Sequence, residues 1–145
     1  MKIYDKGMKL KINKIIIEGI DKTGKDLIAK YLIQMCNHRY EIHARGVISN
    51  KVYEILFNRE EYDYDLDENT LYVLLEAYPE DLEIRFKITG EKEIDIKHHL
   101  GTFRDVFDTM TIGKHALAFN TSKLAPHIIA SMILDKMDEL NNIKK

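Results

Sequence analysis

The chain has 145 residues, 45% hydrophobic and 32% charged, with a formal net charge of -2. That length suits one domain, residues 1–145, with a real core, and the balance of charge gives no global pull toward nucleic acid or an anionic membrane. A lone cysteine, Cys36, excludes an internal disulfide and fits a reducing, cytoplasmic setting.

In chain order, Met1 to Lys14 intersperses lysine with Ile3, Met8, Leu10 and Ile12 but has no continuous apolar run, so it reads as neither signal peptide nor membrane span. Ile15-Ile16-Ile17 is a β-branched run that predicts a strand buried on both faces. Glu18-Gly19-Ile20-Asp21-Lys22-Thr23-Gly24-Lys25-Asp26 follows, with the spacing Gly-x4-Gly-Lys. Glycines at those two places allow dihedrals closed to other residues, so that successive N–H groups can turn inward around a phosphate while Lys25 adds a point charge. Asp26 stands where this motif normally has a Ser or Thr hydroxyl for magnesium. Leu27, Ile28, Tyr31, Leu32 and Met35 then recur at helical spacing, with Cys36 on the same apolar face as a buried thiol. Strand, glycine loop and helix therefore arrive in the order that aims a helix dipole at an anion; a plain Gly-rich turn is the alternative.

Tyr40 to Ala44 predicts a second strand ending at Arg45-Gly46, and Ile48 to Arg59 a helix with Val52, Ile55 and Leu56 inward. Glu60 to Asn69 is an acidic, tyrosine-rich connector in which Tyr62 and Tyr64, with Tyr53, could border a base pocket or simply serve core and surface. Leu71 to Leu75 is the next buried strand, and Pro79-Glu80-Asp81 opens a helix with proline in its first turn and acids against the dipole. Phe86 to Glu93 breaks the periodicity, and Ile94 to Met110 offers Ile96, Leu100, Phe103, Val106 and Phe107 as one face, weakened by Gly101. His115 to Phe119 reads as a last strand and Leu124 to Leu140 as a final amphipathic helix. Strands alternating with helices predict a mostly parallel sheet in a shortened three-layer α/β/α sandwich, with the ligand at the carboxyl ends of the strands. No internal repeat is visible, and no Cys/His spacing suggests zinc.

Taken together, the glycine loop, the Arg45-Gly46 turn, Pro79 to Arg85 and Asn120 to Pro126 resemble the P-loop nucleoside monophosphate kinases, most closely the short, phage-type thymidylate kinases. The resemblance covers roughly Lys14 to Leu140, with the family's extra strand and substrate-covering helices missing between Met35 and Tyr40. It implies ATP and Mg2+, a dTMP-like acceptor, and Gly19, Thr23, Gly24 and Lys25 as phosphate cradle. It further implies Asp21 on the acceptor's sugar hydroxyl, Lys22 on the transferring phosphates beside Lys25, and Arg45 forked onto the acceptor phosphate. Arg85 matches a lid arginine in the short segment Arg85 to Lys92, and Asn120, Thr121 and Ser122 match the loop that wraps adenine.

Where the family has Asp-Arg this chain has Ala44-Arg45, which leaves Asp26 as the candidate metal ligand. The alternatives stay open for each residue: a solvated loop lysine at Lys22, an exposed strand-end arginine at Arg45, a helix cap at Arg85 and simple N-caps at Thr121 or Ser122. The implied partners are nucleotide substrates, with no nucleic acid and no membrane. A homodimer through Ile48 to Arg59 is one reading of that helix, its own core the other. A nucleotide-binding protein without efficient transfer, acting as a regulator or interaction module, is the rival function.

Overall fold

The computed structural model describes residues 10–90 and 94–143. Residues 1–9 of the lysine-rich stretch and the Glu91-Lys92 end of the segment matching a lid lie outside them. The elements run β1 (Lys14–Glu18), α1 (Lys25–Cys36), β2 (Glu41–Ala44), α2 (Val47–Leu56), β3 (Thr70–Glu76), α3 (Pro79–Thr89), α4 (Ile96–Met110), β4 (His115–Asn120) and α5 (Pro126–Leu140). The four strands form one sheet in the order β2-β1-β3-β4, and every pairing is parallel. This is the shortened three-layer α/β/α sandwich that the alternation of strands and helices predicts.

Along β3, which like β1 has a strand on each side, successive side chains alternate between two buried faces. Leu71, Val73 and Leu75 join a core with Ile15, Ile17, Ile28, Leu32, Ile129 and Ile133, beneath α1 and α5. Tyr72 and Leu74 face the opposite core with Ile48, Val52, Leu82, Phe86 and Phe103, beneath α2, α3 and α4. A parallel sheet covered on both faces has no wet side, which is why β3 is apolar along nearly its whole length.

The helices depart from expectation in places. On α1 the inward stripe is Ile28, Ala29, Leu32 and Cys36, while Leu27 and Met35 are 47% and 43% exposed. The buried face is displaced around the helix because α5 packs beside α1 over the sheet. Ile55 is also exposed, and α2 stops at Leu56. Phe86 does not break α3: it is buried one turn after Leu82, and the helix runs to Thr89 before Gly90 ends it at φ 67°. The Thr89 hydroxyl donates back to the carbonyls of Arg85 (3.2 Å) and Phe86 (3.1 Å), which supports that last turn. Helix α4 begins at Ile96 because the Asp95 side chain caps it, accepting from the His98 N–H at 3.1 Å. Among the described residues no helix is long and apolar enough to cross a membrane.

Candidate functional site

Buried β1 delivers the chain into the glycine loop at the carboxyl edge of the sheet, between its neighbours β2 and β3. Gly19 has φ 145°, and a Cβ there would lie 2.4 Å from the Leu75 carbonyl oxygen of β3, so only glycine lets the loop leave the strand this closely. Lys22 at φ 71° and Gly24 at φ 94° complete the turn. The Thr23 hydroxyl, buried, donates to the Ile20 carbonyl at 2.7 Å and braces the turn from within. No side chain caps α1 after Gly24, so the positive end of its dipole faces the cleft.

Lys25 opens α1 with its side chain folded back into the loop. Its ammonium donates to the carbonyls of Gly19 (2.5 Å) and Ile20 (2.9 Å) and lies 3.8 Å from the Asp21 carboxylate. Only 6% of the residue is exposed, and this burial pushes its pKa from the usual 10.5 down to about 8, against the opposing pull of Asp21. Between those two values the unfolded chain binds more proton than the folded one, so Lys25 makes stability rise from about pH 8 to 10.5. Below pH 8 the full penalty applies, on the order of 3 kcal/mol. The difference in unfolding free energy between the wild type and Lys25→Met, measured across that range, should change by this order; a flat difference contradicts the burial of a charged lysine.

Arg45 ends the neighbouring strand at φ 89°, strained for a residue with a side chain, with its N–H donating to the Ile17 carbonyl at 2.7 Å. Its guanidinium donates to the Asp21 carboxylate at 2.6 Å, so Asp21 stands between Arg45 and Lys25. Glu18, which sequence reasoning passed over, holds this turn. Its carboxylate is fully buried and accepts from the N–H groups of Gly46 (2.6 Å), Ile48 (2.9 Å) and Ser49 (3.3 Å) and from the Ser49 hydroxyl (2.8 Å). It therefore supplies the N-terminal cap of α2 from the end of β1 and locks the Arg45-Gly46 turn to the glycine loop. The available signal was an acid directly before the first loop glycine, where a buried strand offers no solvent. Burial pushes the Glu18 pKa up, and the four donors oppose it. Glu18→Ala should cost about 3 kcal/mol in urea unfolding, because it strands buried donors. Glu18→Gln, which keeps one acceptor oxygen, should cost about half as much.

A cleft of about 290 Å³ is lined by Asp21, Lys22, Gly24, Lys25, Asp26, Leu27 and Arg45. It gathers the three cations Lys22, Lys25 and Arg45 about the open side of the loop, with the exposed Asp26 at the first turn of α1. Arg85 comes to the loop without lining this cleft: its guanidinium donates to the Lys22 carbonyl at 2.7 Å and ties α3 to the loop. Asn120, Thr121 and Ser122 also lie outside the cleft lining. They join the β4 end to that of β3: the Thr121 N–H donates to the Glu76 carbonyl (2.7 Å), the Ser122 hydroxyl accepts from the Tyr78 N–H (2.9 Å), and the Asn120 side chain accepts from the Ser122 N–H (2.8 Å).

The donor set at the loop is compatible with a hard divalent cation. Asp26 lines the cleft with a carboxylate, and Glu76 follows Leu75, whose carbonyl abuts Gly19, so a second acid ends the adjacent strand. The Glu76 carboxylate accepts from Arg104 at 2.9 Å. The sequence places Ala44 where the resemblance has an aspartate before Arg45, and Glu76 at the end of β3 does not line the cleft. Among the described residues no group of three or more His, Cys, Asp or Glu side chains converges on a metal position, so the loop offers a few oxygens and not a complete cage.

No family model and no curated protein matches the chain. A solved structure does: YorR protein from Bacillus subtilis, in complex with phosphorylated GDP, is similar over 87% of this chain and 96% of that one, at TM-score 0.69 and 20% identity. At that identity the likeness is one of fold. The chain shares the α/β architecture of a protein solved with a nucleotide.

Proposed function

We propose that this chain, as one cytoplasmic domain, binds ATP at Gly19–Lys25 and transfers its terminal phosphoryl group to a deoxynucleoside monophosphate. The observation that carries this reading is the opening of the glycine loop, with Lys25 inside it and an uncapped helix behind it, onto a cleft shared with Arg45. Phosphoryl transfer asks the protein for in-line positioning and positive charge around the moving group, and little covalent chemistry. Lys25 would leave the Gly19 and Ile20 carbonyls to reach the phosphates, with Lys22 as a second cation on the exposed side. Arg45 would exchange Asp21 for the acceptor phosphate and release Asp21 toward the sugar. Arg85 would hold the Lys22 backbone in place, and Asn120 to Ser122 would shape the donor end at the β4 edge. Bound magnesium would neutralise charge on the phosphate oxygens, with Asp26 as the residue that would hold it. The resemblance to thymidylate kinases makes dTMP the first acceptor to test, and the solved likeness in complex with phosphorylated GDP supports nucleotide binding in general.

One observation favours the rival reading, a nucleotide-binding regulator: Asp26 puts a negative charge, in place of a hydroxyl, at the rim of the phosphate cleft. A coupled assay for diphosphate formation, with ATP and magnesium across the four common deoxynucleoside monophosphates, separates the two. Transfer predicts turnover with at least one acceptor. ATP binding without turnover at any pH supports the regulator and contradicts the kinase.

A further inference from the structure

A second hollow, about 560 Å³, lies along α2 and the connector that follows it. That volume falls in the range of about 300–1,000 Å³ typical of small-molecule sites. Its walls are aromatic. Tyr53 and Phe57 stack with ring centroids 5.8 Å apart and planes 10° from parallel, the Arg59 guanidinium sits 5.2 Å over Phe57, and Tyr62 and Tyr64 line it from the connector. Such a wall takes a planar π-system, with Arg59 as a flanking cation.

Of its polar lining residues, which include Asn50 and Glu60, the buried one is Glu54, 8% exposed. One carboxylate oxygen accepts from the Tyr62 N–H at 2.8 Å and the other from the Tyr64 hydroxyl. These hydrogen bonds hold Glu54 below the usual carboxylate range and push Tyr64 up to about 12, so the group is an acceptor at neutral pH. An ionised carboxylate has about four acceptor positions, of which the two protein donors use one on each oxygen. Beyond these two donors each oxygen keeps a second acceptor position.

We infer that this hollow is a nucleobase pocket and that Glu54 makes it selective for guanine over thymine. Guanine presents N1–H and an amino N–H as adjacent donors to one carboxylate. Thymine presents a single N–H between two carbonyl oxygens, which the carboxylate repels, and adenine lacks the ring N–H. Tyr53 stands on α2 about 9 Å along the axis from the first residue of that helix, at the 1.5 Å rise per residue, and α2 starts at the Arg45-Gly46 turn. The proposal lays the base of a monophosphate held by Arg45 along α2, at the Tyr53–Phe57 wall. This placement rests on the phosphate-loop reading above, and it replaces the thymine that the thymidylate kinase resemblance implies.

Calorimetry on the full chain with dGMP, dIMP, dTMP and dAMP tests it, with ATP titrated separately. The expected result is dGMP binding at least tenfold tighter than dTMP, and at least tenfold tighter than dIMP, which lacks only the amino group. Glu54→Gln should lose that preference, with folding checked by circular dichroism. Because Glu54 also anchors the connector, the dGMP-to-dIMP comparison on the wild type stands without any variant. Equal affinity for dGMP and dIMP, or tighter binding of dTMP, overturns the guanine pocket while ATP binding leaves the phosphate loop intact. Absence of ATP binding as well overturns the phosphate-loop reading itself.

Discussion

Lys25→Ala should lower ATP affinity about 100-fold, close to 3 kcal/mol, while the chain stays folded. Among the described residues Lys25 is the cation enclosed by the glycine turn, bonded to two of the turn's own carbonyls, so an entering phosphate draws a largely desolvated ammonium away from neutral acceptors. Charge-assisted contacts in such surroundings are the strong ones. Lys22 and Arg45 line the same cleft from more solvated positions and should each matter less for ATP. The fold survives because the variant removes a buried charge as well as the donor to those carbonyls, and the two effects oppose each other. Because the lysine titrates near 8, wild-type affinity should also fall as pH rises past that value and the ammonium is lost. Calorimetry with ATP checks both; an alanine variant within threefold of wild type contradicts the role given to Lys25.

Gly19→Ala should destabilise the chain by about 4 kcal/mol and abolish ATP binding with it, the sum of overpacking and backbone strain. The added methyl would stand 2.4 Å from the backbone carbonyl of Leu75, in a central strand that has no room to withdraw, and the backbone is at φ 145°. Gly24→Ala makes the control. Its φ is 94°, but nothing lies within 4 Å of the added carbon, so only the conformational cost of about 1–2 kcal/mol applies. Urea unfolding of the two variants should separate them clearly; a Gly19→Ala cost below about 1 kcal/mol contradicts the tight seat of the loop against β3.

The glycine loop and its flanks were legible because each signal is local: a β-branched run, two glycines at fixed spacing, then helical periodicity. Parallel pairing followed from alternation of elements, and β3 was plain because a strand buried on both faces must be apolar. The faces of α1 were less legible, since Leu27 and Met35 fit the period and only the position of α5 decides which side is covered. Phe86 looked like a break because α3 has few apolar residues, and tertiary burial of Leu82 and Phe86 keeps the helix going. Glu18 and Glu76 were missed for another reason. Each acts through a partner distant in the chain, the α2 N-terminus for one and Arg104 for the other, and neither pairing leaves a trace in local spacing. Asn120 to Ser122 look like ligand groups in sequence, yet much of their hydrogen bonding goes to joining the ends of β3 and β4.

The bend between β1 and α1 is the centre of this account, and amide NMR observes it directly. On titrating ATP into the 15N-labelled chain, the backbone N–H signals of Gly19 to Lys25 should move most and saturate together, with those of Gly24 and Lys25 shifting downfield as they take up phosphate oxygens. Saturation with these signals unmoved, or with the largest shifts elsewhere on the sheet, would show that the loop does not hold the polyphosphate.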